Sequence, residues 1–332
     1  MSASRALDIQ SLEQLQATLP WEGTQSPEPL QEAARQASAL AVEAFERRTP
    51  EALERAERLL HYLNVSNAFG VPVHPIASAV WAVLSQALVR GSLPKGDAPA
   101  EIDQPRMRAA LEALIARAEQ VDHPFLDAIC ELPTEAGLVL YAKNWLASTQ
   151  GFTSNLLALA QRTTGATRGM ILGNVSDEVS GQTHERMRAR FFAQLGMSYD
   201  EVRGISTYQA GRRSDPELLI SSLTLLNFRS ALVANAHPTW ALGVFFAMEA
   251  AFHRVCVRLV SALRRRRFDA QAMEIFTVHV EADEDHAKEW LEILESDAWS
   301  ATDRARILQG TTAYMALRHD WFNAMKAALR LP

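Results

Sequence analysis

Nearly every long segment of this 332-residue chain repeats its apolar residues at a spacing near 3.6, and none sustains the alternation a strand requires. That periodicity predicts an all-α protein, because only a helix gathers positions with such a spacing onto one buried face. The segments read as Pro27 to Arg48, Pro50 to Leu63, Ile76 to Val89, Met107 to Val121, Leu138 to Ala147, Asn155 to Arg162, Met187 to Leu195, Pro216 to Val233, Pro238 to Leu263, Ala270 to Leu294 and Ala301 to Leu329. Ser26-Pro27 and Thr49-Pro50 each place a capping residue before a proline, which opens a helix at a point where the missing amide costs nothing. The stretch around Asp177 reads as an acidic turn, and Gly91 to Ala100 is the clearest linker. The lengths suit a multi-helix bundle whose functional side chains project inward from facing helices.

With 48% hydrophobic residues the chain can bury such a core, and a formal charge of −6 gives no sign of a nucleic-acid or anionic-membrane surface. The basic run Arg264 to Arg267 follows the apolar stretch Val255 to Leu263 and reads as cations at a helix C-terminus. Cys130 and Cys256 are too few and too far apart for a disulfide framework or a thiolate zinc site, so a reducing cytoplasm is the expected compartment. The first residues carry no apolar signal region, and the longest candidate for a membrane span, Trp240 to Phe252, is interrupted by Glu249. The expectation is a cytoplasmic protein acting on a small molecule, with neither nucleic acid nor membrane as a partner.

The chemistry concentrates near the C-terminus, in the octapeptide His279 to His286. His279, Asp283 and His286 stand at i, i+4 and i+7, so on a helix the second and third lie roughly 40° and 20° to either side of the first. Ile275, Phe276, Ala282, Trp290 and Leu294 flank this stripe, which therefore faces the apolar side. Two imidazoles and a carboxylate directed into a core need a partner, and they suit a first-row transition metal, non-heme iron among them.

Two further segments supply acids and a histidine. Glu249 is the one carboxylate in the apolar run from Leu242 to Phe252; a buried carboxylate must be coordinated or paired, with Arg254 as the nearby candidate for a salt bridge. His253 reads as an outer donor or extra ligand, and Cys256 as a small core residue. Upstream, Asp177 and Glu178 precede His184 across Gly181. Asp177 and His184, seven apart, share a face of a straight helix, whereas Glu178 does so only if Gly181 breaks the turn, so either acid can be the partner.

An acid and a histidine in one segment, a lone glutamate in an apolar helix, and His-x3-Asp-x2-His in a later helix, in that order, resemble the heme-oxygenase-like di-iron oxidases and oxygenases. The match spans roughly residues 120 to 332 and includes Asn174 four residues before Glu178 and Leu195-Gly196 at a helix end. The resemblance implies a seven-helix core holding two Fe(II) ions, with Glu178 (or Asp177), His184, Glu249, His279, Asp283 and His286 as ligands and O2 as co-substrate. It also implies a small amino-acid-like or fatty-acid substrate undergoing N-oxygenation, oxidative decarboxylation, desaturation or carbon–carbon cleavage, and an external reductant. The short interval between Glu178 and His184 departs from the family pattern. Residues 1–105 have no counterpart in that core and are expected to be a helical extension that packs on it or forms a homodimer interface, leaving 106–332 as the di-iron domain. Phe245, Phe246, Met248 and Phe252 are the expected water-excluding wall, and Tyr208, Arg212, Arg213 and Arg229 the candidates for binding a charged substrate group. A metal-free thiaminase-like hydrolase using Glu249 and Cys256, or a helical scaffold, are the competing expectations.

Overall fold

The computed structural model describes residues 7–18, 27–68, 74–95, 99–132, 135–180, 182–198, 202, 218–235 and 237–331, and among these there is no strand. The N-terminal layer consists of α1 (Ile9–Thr18), α2 (Pro27–Ala41), α3 (Pro50–Ala68) and α4 (Pro75–Ser92). There follow α5 (Gln104–Glu131), α6 (Ala136–Thr149), α7 (Phe152–Gln161), α8 (Gly165–Ser180), α9 (Gln182–Gln194), α10 (Ile220–Ala234), α11 (Pro238–Arg265), α12 (Ala270–Leu294) and α13 (Ala301–Leu329). Ser26, Gly181 and Pro216 lie outside the described residues.

Helix α11 runs through the centre, with α12 and α13 packed broadly along it and α5 lying against both α11 and α13. Its length and apolarity match a membrane-crossing helix, yet 67% of the relevant window is buried in the bundle. A helix surrounded by other helices is apolar on most sides for the same reason as one surrounded by lipid. The crossing with α13 is made by two glycines. A Cβ on Gly243 would stand 2.0 Å from the Ile307 carbonyl oxygen, and one on Gly310 would stand 2.1 Å from that of Trp240. The backbones therefore touch, and the Thr311 hydroxyl donates across the contact to the Gly243 carbonyl at 2.9 Å.

Helix α10 carries the N-terminal layer on one side, through α3 and α4, and meets α6 and α13 on the other. A buried polar chain fixes this junction. Trp81 Nε1 donates to Asn64, Asn64 Nδ2 to Asn227 Oδ1, and Asn227 Nδ2 to the Glu57 carboxylate, which also accepts from Thr224.

Two elements differ from the sequence reading. Helix α5 continues past Val121 through Pro124 to Glu131. The proline forfeits one hydrogen bond, but Phe125, Leu126 and Ile129 are each fully buried beyond it and hold the last turns in place. The stretch around Asp177 is helix, not turn: α8 begins at Gly165, and the glycines at 165, 169 and 173 dilute the signal that a helix would otherwise give.

Candidate metal centre

Helices α8, α9, α11 and α12 bring six of the expected residues into two groups. Glu178, His184 and His279 form one, and Glu249, Asp283 and His286 the other; within each, one ligand atom per residue lies within 4.8 Å of the others. The α12 stripe thus divides, with His279 facing one triad and Asp283 and His286 the other. Ile275, Phe276, Trp290 and Leu294, all fully buried, hold α12 in that rotation. Trp290 also donates to Asn174 of α8 at 2.7 Å, which ties the helix bearing Glu178 to the one bearing the histidines.

Gly181 lies outside the described residues, but the acids and the histidine on either side of it are placed. Glu178, near the end of α8, and His184, near the start of α9, stand in one group with His279 although six residues separate them in the chain. Asp177 instead points outward, and its Oδ2 accepts from His286 Nε2 at 3.2 Å. The other ring nitrogen of His286 then faces Glu249 at 3.8 Å and Asp283 at 3.9 Å. A carboxylate on the far nitrogen of a histidine orients the ring and fixes its proton there, an arrangement that recurs behind metal-bound imidazoles.

His279 is oriented by its own backbone. Its Nδ1 donates to the Ile275 carbonyl at 2.5 Å, leaving Nε2 with its lone pair, while the ring is held edge-on between Phe252 and His184, each with its centroid 5.1 Å away. Burial pushes its pKa down to about 4, so the imidazole is neutral at physiological pH. Burial, followed by Glu249 and Glu178, pushes Asp283 up to about 10, and burial with Glu249 pushes Glu178 up to about 7. The Glu249 and Asp177 carboxylates raise His286 to about 9. Crowded carboxylates of this kind relieve their repulsion by sharing a cation. Asp283 Oδ2 and His184 Nδ1 are buried without a hydrogen-bond partner, so each has an atom that a group from outside the chain would satisfy.

The alternative partners fall away. Arg254 pairs with Glu119, not with Glu249. His253 joins neither triad, and Cys256 is fully buried with its thiol pushed well above the ordinary range by that burial, unsuited to act as a nucleophile. The Arg229 guanidinium is engaged within the core: it donates to the carbonyls of Ser148 and Gln150 at the end of α6 and lies over the Phe152 ring. Tyr208, Arg212 and Arg213 lie outside the described residues.

A cavity of about 100 Å³ opens beside the first triad. Of the expected wall residues Met248 and Phe252 line it, whereas Phe245 is stacked on Trp290 and Phe246 is buried elsewhere. Tyr141, Trp145, Tyr314, Trp321, Arg188 and Arg318 also line it, and sequence reasoning found none of them. Arg188 alone carried a signal, standing four residues after His184 and so on the same helical face.

Residues 139–319 match the family described as iron-containing redox enzymes. A curated protein of Chlamydia pneumoniae named 4-aminobenzoate synthase is 28% identical over 162 residues, which cover 48% of this chain and 67% of the relative. A solved structure from Shewanella denitrificans OS217, a domain of unknown function with a heme oxygenase-like fold, superposes with a TM-score of 0.54 at 16% identity, covering 69% of this chain and 94% of that one. At that identity the superposition speaks for the fold alone, and the fold agrees with the bundle described above. The chain therefore belongs to the iron-containing redox enzyme family and adopts a heme-oxygenase-like fold.

Proposed function

We propose that this chain is an O2-dependent non-heme di-iron oxidase or oxygenase that oxidises a small amino-acid-like metabolite in biosynthesis. The observation that carries the reading is the pair of facing triads, each mixing carboxylate oxygen with imidazole nitrogen. Glu178, His184 and His279 would hold one iron, and Glu249, Asp283 and His286 the other. Bound there, ferrous iron would supply the electrons with which dioxygen is activated.

The remaining chemistry belongs to the side chains. Three carboxylates offset most of the charge of two divalent ions, while three imidazoles add none, so the filled centre keeps a small positive excess that attracts an anionic substrate. Asp177 and the Ile275 carbonyl fix the protons of His286 and His279 on the nitrogens turned away from the centre. Trp145, Met248, Phe252 and Ile275 limit water at the cavity, which protects a reactive centre from wasteful side reactions. The relative named for making 4-aminobenzoate, a small compound with both amine and carboxylate, supports a role in biosynthesis.

Mixing the anaerobically iron-loaded protein with O2 tests this reading. The expected result is oxygen uptake coupled to ferrous oxidation, abolished by Glu249→Ala. Iron that binds but consumes no oxygen would contradict it.

A further inference from the structure

The metal-side cavity does not stand alone. A second cavity, about 460 Å³, shares four of its lining residues: Thr149, Phe152, Glu178 and Arg188. The sizes divide the roles. An apolar cavity of about 150 Å³ accommodates a benzene ring, so the 100 Å³ space beside the metals takes only a short fragment. The outer space falls in the range of sites for whole small molecules, roughly 300 to 1,000 Å³. Its far wall comes from the N-terminal layer: Asn64 and Val65 on α3, and Trp81 on α4, held by the Asn64 hydrogen bond.

Charge at the junction is just as uneven. Two arginines line the metal-side cavity, and Arg318 is spent on an ion pair with Asp122. Among the described residues Arg188 has neither hydrogen bond nor ion pair. Glu178 and Glu185 are the acids whose fields reach it, and burial lowers its pKa despite them. In the di-iron reading Glu178 is taken by a metal. What is left is a five-donor fork at the point where the two cavities meet, one helical turn beyond His184.

We propose that Arg188 anchors a substrate carboxylate, with the small reacting end of the molecule inserted past Thr149 and Phe152 toward the metals and the rest lying in the chamber that α3 and α4 close. The substrate is thus a carboxylic acid bearing groups on both sides of the anchored carbon, one short and apolar, the other longer and able to meet the amides and hydroxyls of Asn64, Asn155 and Ser230. The N-terminal layer becomes part of the specificity apparatus. This assignment rests on the di-iron reading for the fate of Glu178, but not for the existence of the fork.

N-acetyl-L-leucine and N-acetyl-L-leucinamide share this shape and differ in the carboxylate, so calorimetric titration of both into the iron-loaded protein isolates the anchor. The acid is expected to bind about tenfold or more tightly than the amide. Arg188→Gln should erase that preference, and Arg188→Lys, which keeps the charge but loses the fork, should reduce it with iron content unchanged. Val65→Trp, which fills the outer chamber, should weaken both probes at unchanged iron content. Equal binding of acid and amide by the unaltered protein, binding of neither, or a preference that survives Arg188→Gln overturns the proposal. Iron is counted separately: fewer than two irons with the acid preference intact contradicts the di-iron reading alone, and two irons with no preference contradicts the anchor alone.

Discussion

Asp177 and Glu178 are neighbours in the chain with different tasks, one behind His286 and the other inside the first triad. The sequence located this pair but not the division between them, because a helix through Gly181 and a break at Gly181 assign opposite partners. Glu249 was easier to find, since a single carboxylate in an apolar run needs a reason to be there. Asp177→Asn should therefore weaken iron binding by roughly 10- to 100-fold without removing it, whereas Glu178→Gln should empty one site; metal titration followed by iron quantification separates the two. Glu57 gives a prediction independent of metal. Burial raises its pKa to about 7 against the donated hydrogen bonds of Asn227 and Thr224. The folded state then holds a proton the unfolded chain has lost between pH 4.5 and 7, so this group favours folding below that window and loses the advantage as pH rises through it. The unfolding free energy of Glu57→Gln relative to the unaltered protein should accordingly grow by about 3 kcal/mol between pH 4.5 and pH 8, measured by urea denaturation.

At the scale of elements, the positions of most helices followed from periodicity, because burial on one face dictates both. The failures have local causes. The helix read as Met107 to Val121 continues through Pro124 because tertiary burial beyond the proline overrides its cost, and the glycines of α8 hid a helix whose position is fixed by Trp290 and Asn174. The contact between α11 and α13 was not legible at all: a glycine in a helix reads as a weak point until its neighbour is known. Gly243→Ala forces a methyl onto the Ile307 carbonyl and should cost about 3 kcal/mol or more, read as a lowered urea midpoint, with Gly310→Ala similar. Glycine-to-alanine on an exposed helical face would instead be stabilising.

For the whole molecule, the sequence carried the class of protein and the six side chains that the fold gathers into two groups, while the cavity wall was beyond it. Tyr141, Trp145, Tyr314 and Trp321 come from α6 and α13, helices whose aromatic residues look like any core until the bundle closes. Metal and protons should be coupled across this centre. With Asp283 raised to about 10, Glu178 to about 7 and His286 to about 9, the metal-free protein carries protons that coordination must displace. Loading at pH 7 should release roughly two protons per chain, and affinity should fall as pH is lowered; calorimetry in buffers of different ionisation enthalpy measures both. The central claim, that these six side chains hold two irons, is met most directly by iron quantification with Mössbauer spectroscopy on protein loaded anaerobically with ferrous ion. The account predicts two irons per chain, falling to one or none in His286→Ala while helicity is unchanged; one iron or fewer in the unaltered protein, or two retained in the variant, would contradict it.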